Sequence, residues 1–324
     1  MVGFDPATMT MVTLEQDTPY KYCRNAEFGV CNWVVPAHSD PGFCVACSMN
    51  RIIPSLDNGI NQARWRSTEV AKHRLVYSLL RLHLPLSFMH EGREEPLVFN
   101  FMTDGANGNR IMTGHDNGII TINIAEADEA LRTQNKQELG ERYRTLLGHF
   151  RHESGHYYWD MLIRDSPLIE KFRGLFGDER QDYPTALAAY YENGAPVNWN
   201  EYFISPYAVA HPWEDWAETW AHYLHMMDTL ETAWSFGIRI DPVELEETAG
   251  IRATIAKEPY GVAECSRLIK RWLPLCFAVN SLNRSMGHSD FYPFILSSAV
   301  IGKLCFIHGI CTSLAQPAVF PEAP

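Results

Sequence analysis

The sequence lacks a long uninterrupted apolar run, an excess of positive charge and a basic, apolar leader. Its most apolar late stretch, FYPFILSSAVIGKLCFIHGICTSL, is interrupted by Pro293, Lys303 and His308, which favours a buried helix over a membrane span. Asp and Glu outnumber Lys and Arg by 39 to 27, so neither nucleic acid nor a membrane is expected as the main partner. The start, MVGFDPATMTMVTLEQD, has no basic residues followed by an apolar run, so we expect no secretory signal.

Eight cysteines without such a signal indicate a reducing compartment, where thiols pack or bind metal rather than form disulfides. We therefore expect a cytoplasmic protein. Four cysteines lie in apolar, helix-like contexts and are interpreted as core residues: Cys265, Cys276, Cys305 and Cys311.

The organisation along the chain predicts an α+β protein of two parts. Residues 1–55 are rich in Cys, Gly, Pro and Asn and predict a small zinc-ribbon-like module. Residues 56–324 predict a mainly helical domain with a small mixed sheet. Apolar spacing predicts helices at 61–84, 138–164 and 211–233, and β-branched runs predict strands at 96–103 and 117–125. A later helix should be kinked or broken at Pro274.

The helix at 138–164 contains His152, Glu153 and His156 in the H-E-x-x-H pattern. Residues four apart project from one face of a helix, so two imidazoles can bind one zinc ion. Glu153 can reach a zinc-bound water and act as the general base that hydrolysis requires. His149, one turn earlier, is interpreted as packed or as an orienting partner rather than a ligand.

A catalytic zinc usually has a third protein ligand. Glu214 and Glu218 lie four apart on the helix at 211–233, so one carboxylate could bind the ion and the other orient a ligand histidine. A solvated acidic face is the ordinary alternative for such a pair. Three histidines remain alternative third ligands: His211, His222 and His225.

These motifs resemble those of the gluzincin metallopeptidases, in which a second helix supplies a Glu ligand. The stretch YAVAHPWEDWA fits the pattern Tyr, six residues, Glu, two residues, Ala, which is seen in anthrax lethal factor and in bacterial peptidases that regulate glucose uptake. The resemblance implies that Glu214 is the ligand and that Tyr207 donates a hydrogen bond to the developing oxyanion. Glu218 is then implied to orient His152 or His156.

Most of the chain to about residue 233 is similar to a family of zinc-binding metallopeptidases that carry an N-terminal zinc ribbon. The matching stretches include YCRNAEFGVCNWVVPA, FCVACSMNRIIP, MTGHDNGIITINIAEAD and LFGDERQDY. Members of this family have a further C-x-x-C before a segment like GFDP, which this sequence lacks. A truncated ribbon is therefore one interpretation.

Cys44 and Cys47 form a C-x-x-C knuckle, and Cys23 and Cys31 are candidates for the second pair of a structural zinc site. Reduced cysteines in a partly ordered module are the alternative. Besides one catalytic zinc, the sequence thus predicts up to one structural zinc.

The expected substrate is a peptide or protein, bound as an added strand along Gly118–Ala125 if that strand lies at a sheet edge. An ordinary internal strand is the alternative. Two other functions stay open. One is a non-catalytic scaffold that recruits a protein partner through the cysteine module, and the other is a metal-dependent hydrolase of a non-peptide substrate.

Overall fold

Two units divide the chain in this computed structural model, residues 1–161 and residues 162–324. The structure describes residues 19–105, 111–128, 145–243 and 250–315, and the backbone of strands at 2–5 and 10–13. The architecture is α+β, as predicted. Residues 138–144 of the predicted helix 138–164 lie outside the described residues. The domain boundary near residue 55 stays a prediction.

In the part of the N-terminal module that the structure describes there are two antiparallel strand pairs, a 3-10 turn and a one-turn helix. Strand β1 (Val2–Asp5) pairs with β2 (Thr10–Thr13), and β3 (Tyr20–Tyr22) pairs with β4 (Val34–Pro36). Helix α1 (Val45–Ser48) follows. All of these elements are short, and small modules of this kind usually need a cross-link such as a disulfide or a metal ion for stability.

The first long helix, α2, spans Gly59–Arg81 and confirms the predicted helix at 61–84. It begins at Asn58, whose side chain accepts a hydrogen bond from the backbone N–H of Ile60, as an N-cap residue does. The helix ends shortly before Pro85, which cannot continue it.

A four-stranded mixed sheet lies at the centre of the first unit. Its order is β5 (Asn50–Ile52), β8 (Val98–Met102), β10 (Ile119–Asn123) and β9 (Gly114–Asp116). A separate hairpin is formed by β6 (Ser87–His90) and β7 (Arg93–Pro96). Strand β8 is parallel to both β5 and β10, and β9 is antiparallel to β10.

The expectation that Gly118–Ala125 forms an edge strand is wrong. Strand β10 has a neighbour on each side, and among the residues that the structure describes β9 is the last strand on that side. The reason is the dipeptide Asn117–Gly118, where both residues have positive φ, 47° and 81°. Two such residues form the tight turn that folds one strand back on the next.

Helix α3 (Leu146–Leu162) contains the histidine motif and packs on this sheet. The ring of Phe150 lies 5.6 Å from that of Phe99 and 6.2 Å from that of Phe101, both on β8. Near its C-terminal end, Tyr157 and Tyr158 donate hydrogen bonds to the carbonyl oxygens of Glu95 and Pro85, at 3.0 and 2.9 Å. Helix α3 is therefore fixed near both ends. Its N-terminal part packs on the sheet through Phe150, and its C-terminal part binds β7 and the loop before β6 through the two tyrosines.

The second unit consists mostly of helices. Its elements are α4 (Ile169–Phe176), α5 (Tyr183–Asn193), α6 (Pro212–Ser235), β11 (Arg239–Ile240), β12 (Ala253–Thr254), α7 (Cys265–Ser285) and α8 (Ser298–Ala315). Helix α6 confirms the predicted helix at 211–233, buries a row of large side chains and has Pro212 in its first turn. None of the helices that the structure describes is long and apolar enough to cross a membrane.

Helix α7 continues through Pro274 to Ser285, so a break at that proline is not what the structure shows. The residues around the proline are buried: Trp272, Leu275 and Cys276. Burial of this face compensates for the missing backbone hydrogen bond, because packing contributes more than local propensity to the stability of most helices.

Cys265 and Cys305 join α7 to α8 in a disulfide, with 5.3 Å between their Cα atoms. The interpretation of these two as reduced core residues is therefore wrong, because two packed helices bring residues forty positions apart within bonding distance. Cys276 and Cys311 are free and buried, as expected.

A buried ion pair connects α8 to α6. The Lys303 ammonium lies 2.5 Å from Asp215 Oδ2 and donates to the carbonyl of Tyr202 at 2.7 Å. Burial raises the pKa of Asp215 to about 7, although Lys303 opposes that shift. The carboxylate thus depends on this lysine to stay ionised inside the protein.

We expect Lys303→Met to lower the free energy of unfolding by about 3 kcal/mol, because it leaves a buried carboxylate without its cation. The loss should be smaller at pH 5 than at pH 8. At pH 5, below the raised pKa of Asp215, the carboxyl group can stay neutral and does not need the lysine. As pH rises through that pKa the carboxyl group ionises, and the stability that the neutral form contributes is lost. Urea unfolding at both pH values measures this. Lys270→Met, on the exposed side of α7, is the control, and an equal loss in the two variants would contradict the prediction.

Candidate metal centres

Four cysteines of the N-terminal module meet in one cluster. The sulfur atoms of Cys23, Cys31, Cys44 and Cys47 all lie within 4.8 Å of one another. The sulfurs of Cys31 and Cys44 are 3.8 Å apart, and two thiolates on a tetrahedral zinc are separated by about 3.8 Å, given a Zn–S bond of about 2.3 Å. The donor set therefore fits a structural zinc. It includes Cys23 and Cys31, whose spacing in the sequence is not that of a knuckle.

Local backbone structure places these sulfurs. A 3-10 turn at Arg24–Phe28, ended by Gly29 at φ 68°, brings Cys31 back towards Cys23. The backbone N–H groups of Trp33 and Cys47 donate to the sulfurs of Cys31 and Cys44, each at 3.4 Å. Such N–H groups favour thiolates.

The thiols also influence one another. Hydrogen bonds with the other cysteines lower the pKa of Cys23, and the bond with Cys31 has the largest effect. Hydrogen bonds with the other cysteines raise the pKa of Cys44, and the bond with Cys23 has the largest effect. The four thiols therefore do not ionise equally readily, and a dication is needed to hold all four deprotonated.

A second set of donors lies on α3. The Nε2 atoms of His152 and His156 are 3.2 Å apart and both side chains are half-buried. Two nitrogens bound to one tetrahedral ion are separated by about 3.3 Å for Zn–N bonds of 2.0–2.1 Å. The helix thus brings both imidazoles to one point, with Glu153 beside the first of them in sequence.

His149, interpreted from the sequence as packed or as an orienting partner, contacts the carboxylate of Glu126 through Nδ1. The other oxygen of Glu126 accepts a hydrogen bond from the Thr113 hydroxyl at 2.5 Å. His149 therefore connects the first turn of α3 to the 3-10 turn Ile124–Ala127 that follows β10. Its partners lie in the stretch MTGHDNGIITINIAEAD.

His115, on the edge strand β9, was not singled out from the sequence. Its ring stacks on that of His156 with centroids 6.4 Å apart. Its Nε2 accepts a hydrogen bond from the backbone N–H of Gly118 at 3.1 Å. The edge strand therefore lies beside the histidine pair.

In the second unit, Glu214 lies in the first turn of α6 and is 1% exposed. The Tyr183 hydroxyl donates to its Oε1 at 2.7 Å. Tyr207 lies in a 3-10 turn before the helix. Burial first, and then the charge of Glu214, raise the pKa of Tyr207 well above its usual value, so Tyr207 keeps its proton at neutral pH and is a hydrogen-bond donor.

Glu218 accepts a hydrogen bond from the Ser205 hydroxyl at 2.6 Å. The same hydroxyl accepts the backbone N–H of Ala208 at 3.2 Å. Glu218 thereby connects α6 to the turn that contains Tyr207. Its implied contact with His152 or His156 stays a prediction. Neither Ser205 nor Tyr183 was assigned a role from the sequence.

The three alternative histidine ligands have other contacts. His211 caps α6, with Nδ1 accepting from Trp213 N at 3.1 Å and Nε2 donating to Gln181 O at 3.2 Å. Burial lowers its pKa, so the neutral ring that this arrangement needs is favoured. His222 contacts the Tyr292 hydroxyl through Nδ1 at 2.9 Å, and His225 packs against the ring of Trp272.

The α+β fold, the cysteine cluster and the histidine pair together define a zinc-binding protein. A family profile described as "Putative zinc-binding metallo-peptidase" matches residues 61–310, and a zinc-ribbon domain profile matches residues 1–58. The chain therefore belongs to this metallopeptidase family and has an N-terminal zinc ribbon, as the resemblance implied.

Relatives of similar length occur in mycobacteria. One uncharacterized protein of Mycobacterium bovis and two of Mycobacterium tuberculosis are each 40% identical over 315 residues, covering 97% of this chain and 89% of the relative. No solved structure matches the chain.

We expect Cys44→Ser to remove one zinc ion per chain, because Cys44 supplies one sulfur of the cluster and half of its C-x-x-C knuckle. Inductively coupled plasma mass spectrometry of the purified full chain measures the loss. Cys276→Ser, which changes a buried free thiol in α7, should leave the zinc content unchanged. Equal zinc in the Cys44 variant and the wild type would contradict the assignment.

Proposed function

We propose that this protein is a zinc-dependent metallopeptidase whose catalytic ion is held by His152, His156 and Glu214. The observation that carries the proposal is the convergence of the two Nε2 atoms at 3.2 Å on one helical face. Family membership at residues 61–310 supports the same chemistry.

Glu214 is proposed as the third ligand for two reasons. It occupies the Glu position of the pattern Tyr, six residues, Glu, two residues, Ala. Its carboxylate is also buried in the first turn of a helix and oriented by Tyr183, and a buried carboxylate favours a cationic partner. Two histidines and one glutamate are a ligand set of catalytic zinc sites, and they leave the fourth position for water or substrate.

A zinc ion bound there supplies Lewis acidity and acidifies a water molecule. Glu153 accepts the proton that the attacking water loses and returns it to the leaving amine, which completes the cleavage of the amide. Tyr207, which keeps its proton, donates a hydrogen bond to the oxyanion that develops on the carbonyl. Glu218 and Ser205 hold the turn on which Tyr207 lies.

The proposed substrate is a peptide or protein that lies along β9 rather than along β10. Strand β9 is at the edge of the sheet order and carries His115 beside His156, and an edge strand offers backbone groups to an added strand. A protein partner of the cysteine module and a cytoplasmic location are further parts of the proposal.

The general base is tested with Glu153→Gln, which keeps the shape of the side chain and loses its basicity. We expect the variant to retain its zinc and to lose activity on a fluorogenic peptide library by at least about 100-fold, the scale of general-base catalysis. Glu192→Gln, an exposed change on α5, is the control.

An unchanged rate in the Glu153 variant would sink the proposed mechanism. Wild-type protein that carries zinc at both centres but cleaves no peptide in the library would favour a scaffold or a hydrolase of a different bond.

The third ligand is tested by comparing Glu214→Ala with Glu218→Ala. We expect the first variant to lose the catalytic zinc, because it removes a ligand. The second should keep the ion with weaker affinity, by about 10- to 100-fold, as changes to residues that orient ligands do. Zinc titration against a chelator measures both, and the reverse order would make Glu218 the ligand.

A further inference from the structure

His73, on helix α2, lies against the cysteine cluster of the ribbon. Its Nε2 is 3.2 Å from the sulfur of Cys31 and 3.8 Å from the sulfurs of both Cys44 and Cys47. The His73 side chain is 8% exposed. Helix α2 follows the ribbon, so a residue that belongs to the matched metallopeptidase region, 61–310, touches the ribbon's metal-binding sulfurs.

These distances are those of a ligand. A sulfur and a nitrogen bound to the same tetrahedral zinc are separated by about 3.6 Å, given Zn–S of about 2.3 Å and Zn–N of 2.0–2.1 Å. The three separations of His73 Nε2, at 3.2, 3.8 and 3.8 Å, surround that value. Cys31, Cys44, Cys47 and His73 therefore have the spacing of a tetrahedral donor set of their own.

The other ring nitrogen of His73 has the partner that a metal-binding histidine requires. Nδ1 lies 2.6 Å from the backbone carbonyl of Glu69 and 3.4 Å from its carboxylate. A carbonyl oxygen only accepts, so Nδ1 carries the hydrogen and the lone pair of the neutral ring is at Nε2. Donation of the far N–H to a carbonyl or carboxylate is typical of histidines that bind metals.

Glu69 is itself held in place. Its carboxylate is buried and accepts from Trp65 Nε1 at 3.0 Å and from Asn50 Nδ2 at 2.6 Å. Lys72 forms an ion pair with the second oxygen at 2.8 Å. The orientation of His73 towards the sulfurs is thus fixed by a buried network rather than by a flexible surface contact.

We propose that His73 is a fifth donor of the ribbon metal site, so that the ion can be held by Cys31, Cys44, Cys47 and either Cys23 or His73. Exchange of one thiolate for a neutral imidazole changes the charge of the zinc complex from −2 to −1, which favours the histidine set in this buried position. Through His73 the ribbon ion binds directly to α2, and the ribbon does not depend on Cys23 to keep its metal.

The test uses the full chain with cobalt(II) in place of zinc, because sulfur-to-cobalt charge-transfer absorption reports the cysteine site separately from a site of histidine and carboxylate ligands. Four proteins are compared with the wild type: Cys23→Ala, His73→Ala, the double variant, and the control Arg74→Ala on the exposed side of α2. Competition with a chelator gives the cobalt affinity.

We expect Cys23→Ala to keep one cobalt with thiolate charge-transfer bands and with d–d bands at shorter wavelength, as nitrogen replaces sulfur. The double variant should bind more than about 100-fold more weakly than Cys23→Ala, because loss of a ligand exceeds the effect of losing an orienting residue. His73→Ala alone should keep its ion through the four cysteines, and Arg74→Ala should match the wild type.

Equal cobalt affinity and equal spectra in Cys23→Ala and the double variant would overturn the proposal, whether both bind cobalt or neither does. Cys23→Ser is the second variant if Cys23→Ala does not fold by circular dichroism. None of these outcomes involves peptidase activity, so the proposal stands or fails independently of the proposed function.

Discussion

Four-residue spacing on an α-helix is the constraint on which the metal chemistry of this protein depends. It brings His152 and His156 to one point on α3, and it places the backbone carbonyl and carboxylate of Glu69 next to the ring of His73 on α2. A helix has the same geometry wherever it occurs. A rigid element can therefore present two groups at nearly fixed separation, and only the remaining donors have to be supplied by folding.

Each unit also contains a buried lysine–carboxylate pair whose carboxylate lies one to four positions from a proposed donor. Glu69 and Lys72 precede His73, and Asp215, the partner of Lys303, follows Glu214. Both lysines lie over aromatic rings, those of Phe101 and Phe203 among them. A buried pair is only marginally favourable overall but is costly to separate, so each one restricts the position of the helix that carries the donor.

The helices and the histidine motif could be predicted because their signals are local. Periodic apolar residues located both ends of α2 and α6 and the C-terminal end of α3 within three residues, and the placement of His152 and His156 on one face followed from spacing alone. The edge strand was missed although Asn117–Gly118 is a local signal for a hairpin. The capping role of His211 was missed in the same way, although the residue lies directly before Pro212, where a helix cap is expected.

Other features have no local signal. His73 meets cysteines 26 to 42 positions away, and no spacing rule connects a residue of a long helix to a knuckle in another module. The partners of Glu214 and Glu218, Tyr183 and Ser205, are 31 and 13 positions distant. The disulfide joins cysteines that look like ordinary core residues, since only the packing of α7 on α8 brings them together.

Strand β9 has only three residues, Gly114–Asp116, and a tight turn directly after it. A long, flat sheet edge is a template for uncontrolled pairing between chains, and proteins avoid aggregation by keeping such edges short. A strand of three residues offers backbone hydrogen-bonding groups to only a short part of an incoming chain, which is too little for a second sheet to add to it. The shortness of β9 thus limits edge-to-edge pairing between copies of this sheet, and it would limit any added strand to a short extended segment.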